Sequence, residues 1–309
     1  MTTNGSFQRS TTDPAAVKAL ATLKLKVRRV VEGLQGGAHP SLHFGASVEF
    51  AEHKRYSPGD DIRNIDWNAF ARTDRYFVKQ HLKEVVLSSL LVLDCSASMG
   101  YRGSRAKNDK LGFSVELLAA MAYVLIHQGD AAGLLAFSSA PELFIPPGRR
   151  PDQLSLLMQR LSLIRARENS TTNFADAIGR AAGHAGKRAL IVLASDLWGA
   201  GRETELALAG LAARGHDIAL FHILDPDELD LPFDFPTALK DMEGEATVDI
   251  DPTQIREDYR NEVRQTIEHW RRFSGEKGID YVHASTRQAT ATVLAEFAGR
   301  RQKVRRRIT

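Results

Sequence analysis

Asp94, Ser96 and Ser98 form a D-x-S-x-S run at the point where an apolar stretch, SSLLVLD, gives way to a loop. Alternate residues leaving a strand point the same way, so one carboxylate and two hydroxyls can converge on a single point. An oxygen-only donor set of this kind suits a hard cation. Mg²⁺ prefers near-octahedral coordination at about 2.0–2.1 Å and tends to keep some waters, which leaves a position open to an incoming ligand; Mn²⁺ and Ca²⁺ accept similar donors. Two more oxygens fall in suitable places downstream: Thr172, before an apolar-patterned helix, and Asp196, where RALIVLAS ends. A D-x-S-x-S run arises by chance in roughly one ordinary chain of this size in ten, so its weight comes from position. In open parallel sheets, ligands bind beyond the carboxyl ends of strands where the chain order reverses. Plainer roles stand beside these: Thr172 as a helix N-cap, Asp196 as a strand terminator, and Ser96 and Ser98 as partners of loop amides.

Other chemistries find little support. The acyl-phosphate pattern D-x-D is broken by Ser96, and no GxxxxGK[ST] loop or GxGxxG fingerprint occurs. The single cysteine, Cys95, offers neither an internal disulfide nor a CxxC pair for zinc. His53, Asp60, Asp61, Arg63 and Asp66 could be imagined as an acid/base cluster, but in a turn-rich segment such carboxylates suit turn amides and arginine partners, with Trp67 and Phe70 packing. His127, His222 and His283 sit in helix or strand patterns without metal-ligand spacing.

The elements that must position the site follow from periodicity. Residues 1–12 are polar and read as a flexible lead. Asp13-Pro14 is a cap followed by a first-turn proline, and Val17, Leu20, Leu23, Val27, Val30 and Leu34 recur at helical spacing. Residues 39–86 change to short aromatic and β-branched pieces, with Pro58-Gly59 suiting a type II turn. Residues 13–87 are therefore read as a helix plus a small β-rich subdomain. From residue 88 to 299 strand and helix alternate. This predicts an α/β domain built on a doubly wound, mostly parallel sheet covered by helices on both faces. Asp109 is a plausible cap for a helix carrying Leu111, Val115, Leu118, Ala122 and Leu125. A hairpin is expected near residues 245–250, and Asp251-Pro252 repeats the cap-plus-proline signal.

The chain has 309 residues, is 43% hydrophobic and 26% charged, and carries a net charge of +3. Those values fit an ordinary soluble globular protein with room for one α/β domain and a smaller companion. Six basic residues and no acid lie between Arg300 and Arg307, so residues 300–309 are read as a basic tail, solvated unless it meets an acidic partner, RNA or anionic lipid. No apolar run reaches the roughly 20 residues of a membrane span, and the first residues lack a signal peptide's apolar core, so a cytoplasmic location is expected.

The set Asp94, Ser96, Ser98, Thr172 and Asp196 resembles the metal-ion-dependent adhesion site of von Willebrand factor A domains: D-x-S-x-S, then a threonine, then an aspartate. Upstream, GASVEFAEHKRYSPGDDIRNIDWNAFARTD resembles the signature of the bacterial domain of unknown function 58 family, matching at Glu49, Phe50, Glu52, Tyr56, Pro58, Gly59, Asp60, Asp61, Arg63, Ile65, Asp66, Trp67, Ala71 and Arg72. The resemblance implies a chaperone-like role beside a MoxR-type AAA+ ATPase in maturing or remodelling protein complexes. It implies a non-catalytic, metal-dependent interaction module whose cation takes an Asp or Glu carboxylate from a client protein, with no small-molecule substrate. The alternatives are a Mg²⁺-dependent hydrolase or phosphatase at the same strand ends, and nucleic-acid binding through the basic tail, for which no zinc finger or RNP pattern is present.

Overall fold

The computed structural model describes residues 13–36, 53–57, 65, 67–79, 88–167, 172–186, 188–243 and 246–305. The chain divides into two compact units, residues 45–87 and the remainder. The first helix, α1 (Pro14–Gly36), buries Leu23, Val27, Val30 and Leu34 of the expected apolar row and Val31 beside them, while Val17 in its first turn is exposed.

In the smaller unit, β1 (His53–Arg55), α2 (Trp67–Thr73) and β2 (Phe77–Lys79) follow one another, and the two strands pair antiparallel. The helix is an addition to the β-rich subdomain expected for this stretch. WNAFART is short enough that its aromatic content reads as strand, yet Phe70 on the helix stacks on Tyr76 with ring centroids 4.5 Å apart. Trp67 meets Phe70 edge-on at 6.2 Å and is largely exposed. The Pro58-Gly59 turn, Asp60, Asp61, Arg63 and Asp66, like residues 1–12, lie outside the described residues.

The larger unit runs β3 (Ser88–Asp94), α3 (Lys110–His127), β4 (Ala131–Phe137), β5 (Pro141–Gly148), α4 (Gln153–Leu163), α5 (Phe174–His184), β6 (Ala189–Ser195), α6 (Arg202–Ala213), β7 (Asp217–Leu224), α7 (Pro226–Asp230), β8 (Thr237–Lys240), β9 (Thr247–Ile250), α8 (Pro252–Lys277), β10 (Asp280–Ser285) and α9 (Thr290–Arg305). Six strands form one sheet in the order β10-β7-β6-β3-β4-β5. All its pairings are parallel except that of the edge strand β5 with β4. This is the predicted doubly wound sheet.

Both faces of the sheet are covered, which is why its central strands read as uninterrupted apolar runs. Leu90, Val92, Ile191, Leu193 and Leu220 pack with Phe174, Ile178, Leu208, Leu211 and Trp270 of α5, α6 and α8. The alternate residues face the other way, where Phe221 meets Phe297 of α9 edge-on at 5.2 Å. Helix α1 packs on α3, α4 and α9. It belongs with the larger unit and not with the β-rich stretch, which corrects the 13–87 grouping: an amphipathic pattern shows that a helix buries one face without naming what covers it.

The expected basic tail is also corrected at its start. Helix α9 continues to Arg305, Arg300 donates to the Tyr281 carbonyl at 2.8 Å, and Arg301 pairs with Asp217 at 2.7 Å and with Asp280 at 3.3 Å. These two cations close the fold instead of projecting as free charge. Residues 306–309 lie outside the described residues.

Candidate metal centre

Chain order reverses at β3. From it the chain moves outward to β4 and β5 on one side, then returns to β6, β7 and β10 on the other. Strands β3 and β6 pair in register up to Leu93 and Ala194, so Asp94 and the Ser195-Asp196 pair leave the sheet side by side at its reversal point.

Asp94 is wholly buried and held on both oxygens. Oδ1 accepts the Ser96 backbone N–H at 2.9 Å, and Oδ2 accepts the Ser195 hydroxyl at 2.6 Å. The Ser195 oxygen in turn accepts the Leu197 N–H at 2.9 Å. Ser96 is buried and its hydroxyl lies 3.1 Å from that of half-buried Ser98, so the two serine oxygens do converge. Asp196, 2% exposed, accepts the Trp198 N–H on Oδ1 at 3.1 Å and the Lys110 ammonium on Oδ2 at 2.7 Å. Leu197, between these partners, has φ 57, a left-handed conformation uncommon for a leucine. It folds the chain back so that both N–H groups reach the preceding side chains.

Thr172 reaches the same cluster from the second loop, through Glu243. Its hydroxyl donates to Glu243 Oε1 at 3.5 Å, and the hydroxyls of Ser98 and Ser96 act on the same carboxylate. The loop is anchored to its neighbours by the main chain, with Arg167 N–H on the Cys95 carbonyl at 2.9 Å and Asn173 N–H on the Ser138 carbonyl at 3.0 Å. The N-cap of α5 is Asn173, whose side chain accepts the Asp176 N–H at 3.1 Å. Thr172 is therefore not the cap, and its hydroxyl is left to the site.

The electrostatics fit a cation. Burial, then repulsion from Asp196, pushes the Asp94 carboxyl up to about 7, even though Ser195 and Ser96 pull the other way. Burial also raises the Glu243 carboxyl, with Asp196 adding to it and Ser98 and Ser96 opposing. A divalent ion among these oxygens would relieve that repulsion. Among the described residues no three His, Cys, Asp or Glu side chains are grouped to hold a metal, so a cation here depends on hydroxyl donors completing two carboxylates.

Three neighbours escaped the sequence reading. Ser195 is hidden as the last residue of an apolar strand. Lys110, with no exposed side-chain surface, bridges Asp196 and Glu228; burial alone would lower its pKa, but those two carboxylates outweigh it and raise it. A lysine opening an otherwise apolar helix was the one available signal. Glu243 comes from a polar hairpin tip that carries no periodic pattern.

The strand order, the antiparallel edge strand and the loop carrying Asp94 at the reversal point define a doubly wound α/β domain with its candidate site at the switch point. The family model "Protein of unknown function DUF58" matches residues 52–269, and the chain belongs to that family. An uncharacterized protein of Mycobacterium tuberculosis and another of Mycobacterium bovis are each 30% identical to it over 265 residues, covering 82% of this chain and 82% of theirs. Among solved structures, it is similar to the conserved hypothetical protein BatB from Bacteroides thetaiotaomicron (15% identity, 70% of this chain, 99% of that one, TM-score 0.47). It is also similar to an aerotolerance-related membrane protein from Bacteroides fragilis (15%, 69% and 99%, 0.43) and to the von Willebrand factor A domain of SpRpn10 (11%, 68% and 94%, 0.40).

One expectation is overturned here. A protein among these neighbours is described as a membrane protein, and α3 is 18 residues long and apolar enough by composition to cross a bilayer, though it is mostly buried in the fold. The cytoplasmic assignment is therefore withdrawn.

Proposed function

We propose that this chain is a metal-dependent protein-interaction module. Asp94, Ser96, Ser98, Thr172 and Asp196 would hold Mg²⁺, with Mn²⁺ or Ca²⁺ as substitutes, and the open coordination position would take an Asp or Glu carboxylate from a client protein. The bound ion would supply the positive charge that attracts that carboxylate. The chain's own residues do the positioning: Ser195 and the Ser96 amide fix Asp94, while Lys110 and the Trp198 amide fix Asp196. A MoxR-type AAA+ ATPase as co-worker, in maturation or remodelling of protein complexes, follows from the family resemblance.

The observation that carries the reading is the pair of buried carboxylates at the sheet's reversal point, close to the hydroxyls of Ser195, Ser96 and Ser98, with the one ammonium at hand among the described residues, Lys110, engaged by Asp196 and Glu228 and none on Asp94. Hydrolysis at the same place would need a nucleophile or a second acid free to move a proton. Both aspartates are instead held on each oxygen, and Lys110 is engaged by two acids. This favours holding over turnover.

The test is calorimetric titration with Mg²⁺ and Mn²⁺ of the wild type and Asp94→Ala, followed by capture of the purified MoxR-type ATPase from the same organism with Mg²⁺ or with EDTA. Binding of the ion by the wild type alone, and ATPase retention only with Mg²⁺, is the expected result. Absence of ion binding sinks the metal centre; ATPase retention indifferent to EDTA sinks the metal-bridged partnership.

A further inference from the structure

Helix α1 packs on α3 and α4, but the three do not close completely. Where they meet, α1 offers Ala15 and Ala19 and α3 offers Gly112, residues with one methyl group or none, so the space between the helices stays open. Gly112 is small for a local reason: a Cβ there would stand 2.6 Å from Asp109 Oδ1, the oxygen that caps α3. The result is a groove of about 510 Å³, within the roughly 300–1,000 Å³ of established ligand pockets. Its floor is apolar and built from Leu23, Leu111, Val115, Leu161 and Ile164.

The rim is basic. Lys18 and Lys26 line one wall from α1, and at 1.5 Å of rise per residue they stand about 12 Å apart along its axis. Arg165 lines another wall, just past the end of α4. Among the described residues Lys18 and Arg165 have no carboxylate partner; Arg165 donates to the Ser162 and Ile164 carbonyls at 3.1 and 2.7 Å, which leaves its charge uncompensated. Lys26 is 3.5 Å from Glu116 and 3.4 Å from the Asn108 side-chain oxygen. The acid in the lining, Asp109, is occupied by the Gly112 N–H at 2.6 Å. Cations spread over two walls and about 12 Å of helix are more than the single head group of a small anion can meet. A second helix laid beside α1 repeats its carboxylates on the same rise.

We propose that this groove is a docking site for an acidic amphipathic helix of a partner protein, with its apolar row on the floor and its carboxylates toward Lys18, Lys26 and Arg165. The rim charges select the partner and set its orientation, while burial of its apolar row holds it. The groove shares no residue with the candidate metal centre and needs no ion, so it gives the chain a second, independent means of holding a partner.

The probe is a fluorescein-labelled synthetic helix of about 16 residues, with leucines at i, i+3, i+4 and i+7 spacing flanked by glutamates. Two controls carry lysine in place of every glutamate, or alanine in place of every leucine. Fluorescence anisotropy measures affinity for the full chain, and methyl NMR maps the contact. The acidic leucine peptide is expected to bind, to shift the methyl signals of Leu23, Val115 and Ile164, and to bind equally well in EDTA. Both controls should bind at least about tenfold more weakly. The double variant Lys18→Glu/Arg165→Glu changes two exposed side chains, so its melting temperature should match the wild type. It should lose about tenfold in affinity for the acidic peptide and gain for the lysine one. Equal affinity for peptides of either sign overturns the proposal, as do methyl shifts confined to other parts of the fold. Loss of binding in EDTA also overturns it and moves the contact to the metal centre. If decanoate shifts the three methyl signals and the acidic peptide does not bind, the groove takes a small anionic amphiphile and the helix-docking proposal fails. Failure of the chain to bind Mg²⁺ bears on the metal centre alone and leaves these outcomes unchanged.

Discussion

Lys110 Nζ lies 2.7 Å from Asp196 Oδ2, and neither side chain has more than 1% of its surface exposed. The ammonium opens α3, and the carboxylate follows β6, so this pair ties the start of one helix to the rim that carries the candidate metal centre. Its second partner, Glu228, also accepts the Asp225 N–H at 2.8 Å in the capping box of α7. Removing one member of a buried ion pair leaves uncompensated charge and costs about 3–5 kcal/mol. Lys110→Met should lower unfolding free energy by that amount in urea titrations without metal. Mg²⁺ at about 100 times its dissociation constant should return about 2.7 kcal/mol to either protein. A variant as stable as the wild type would mean the ammonium does not neutralise Asp196.

Asp94 gives metal binding a pH dependence. With its carboxyl at about 7 in the metal-free protein, a cation must displace a proton below that pH and none above it. Mn²⁺ affinity should rise about tenfold between pH 6 and pH 8 and flatten beyond, a consequence of the ionised fraction alone. An affinity constant over that range would place Asp94 outside the coordination sphere.

Stability without metal is predicted to hide two opposing slopes. The folded Asp94 carboxyl is raised from 3.8 to about 7, so between those values the folded state keeps a proton that the unfolded chain has released, and stability falls as pH rises. Burial, then the neighbouring His283, lowers His222 from 6.5 to about 3, so the unfolded chain takes up a proton first and stability falls as pH drops through that window. Burial lowers His283 as well, adding to the second slope. Each full proton is worth about 1.4 kcal/mol per pH unit, and the windows overlap between about pH 4 and 6.5. The metal-free wild type should therefore change less steeply there than the histidines alone would require. Asp94→Asn should expose stability that rises with pH. His222→Leu, which gives up the 2.8 Å contact with Tyr281, should move the balance toward stability that falls with pH. Parallel curves for all three proteins in urea titrations at pH 4.5, 5.5 and 6.5 would contradict this account.

Much of the fold was readable because the central strands are buried on both faces and end in polar residues. SSLLVLD, RALIVLAS and DIALFHIL each stand as a block between turn signals, and their alternation with helical patterns leaves few sheet arrangements open. D-x-S-x-S was legible because its residues are adjacent in sequence. Lys110 and Glu243 were not, since each comes to the site from an element whose local pattern serves another purpose: Lys110 sits where a helix begins, Glu243 where a hairpin turns. The helix at Trp67 was missed because seven residues are too few for periodicity to outweigh aromatic content.

Thr172 and Asn173, neighbours in sequence, should separate cleanly by experiment. Asn173 accepts the Asp176 N–H and so satisfies one of the amides that α5 leaves without an intrahelical partner. Its replacement by alanine should cost about 1 kcal/mol of stability and leave Mn²⁺ affinity unchanged, as loss of an N-cap does. Thr172 makes no capping bond; its hydroxyl points to Glu243 at 3.5 Å. Thr172→Ala should leave metal-free stability within about 0.5 kcal/mol, the range of a substitution that touches no structural feature, yet weaken Mn²⁺ binding. Thr172→Ser keeps the hydroxyl and should restore most of that affinity. If Thr172→Ala instead melts the helix and spares the ion, the second loop contributes a cap and not a ligand, and the donor set falls to Asp94, Ser96, Ser98 and Asp196.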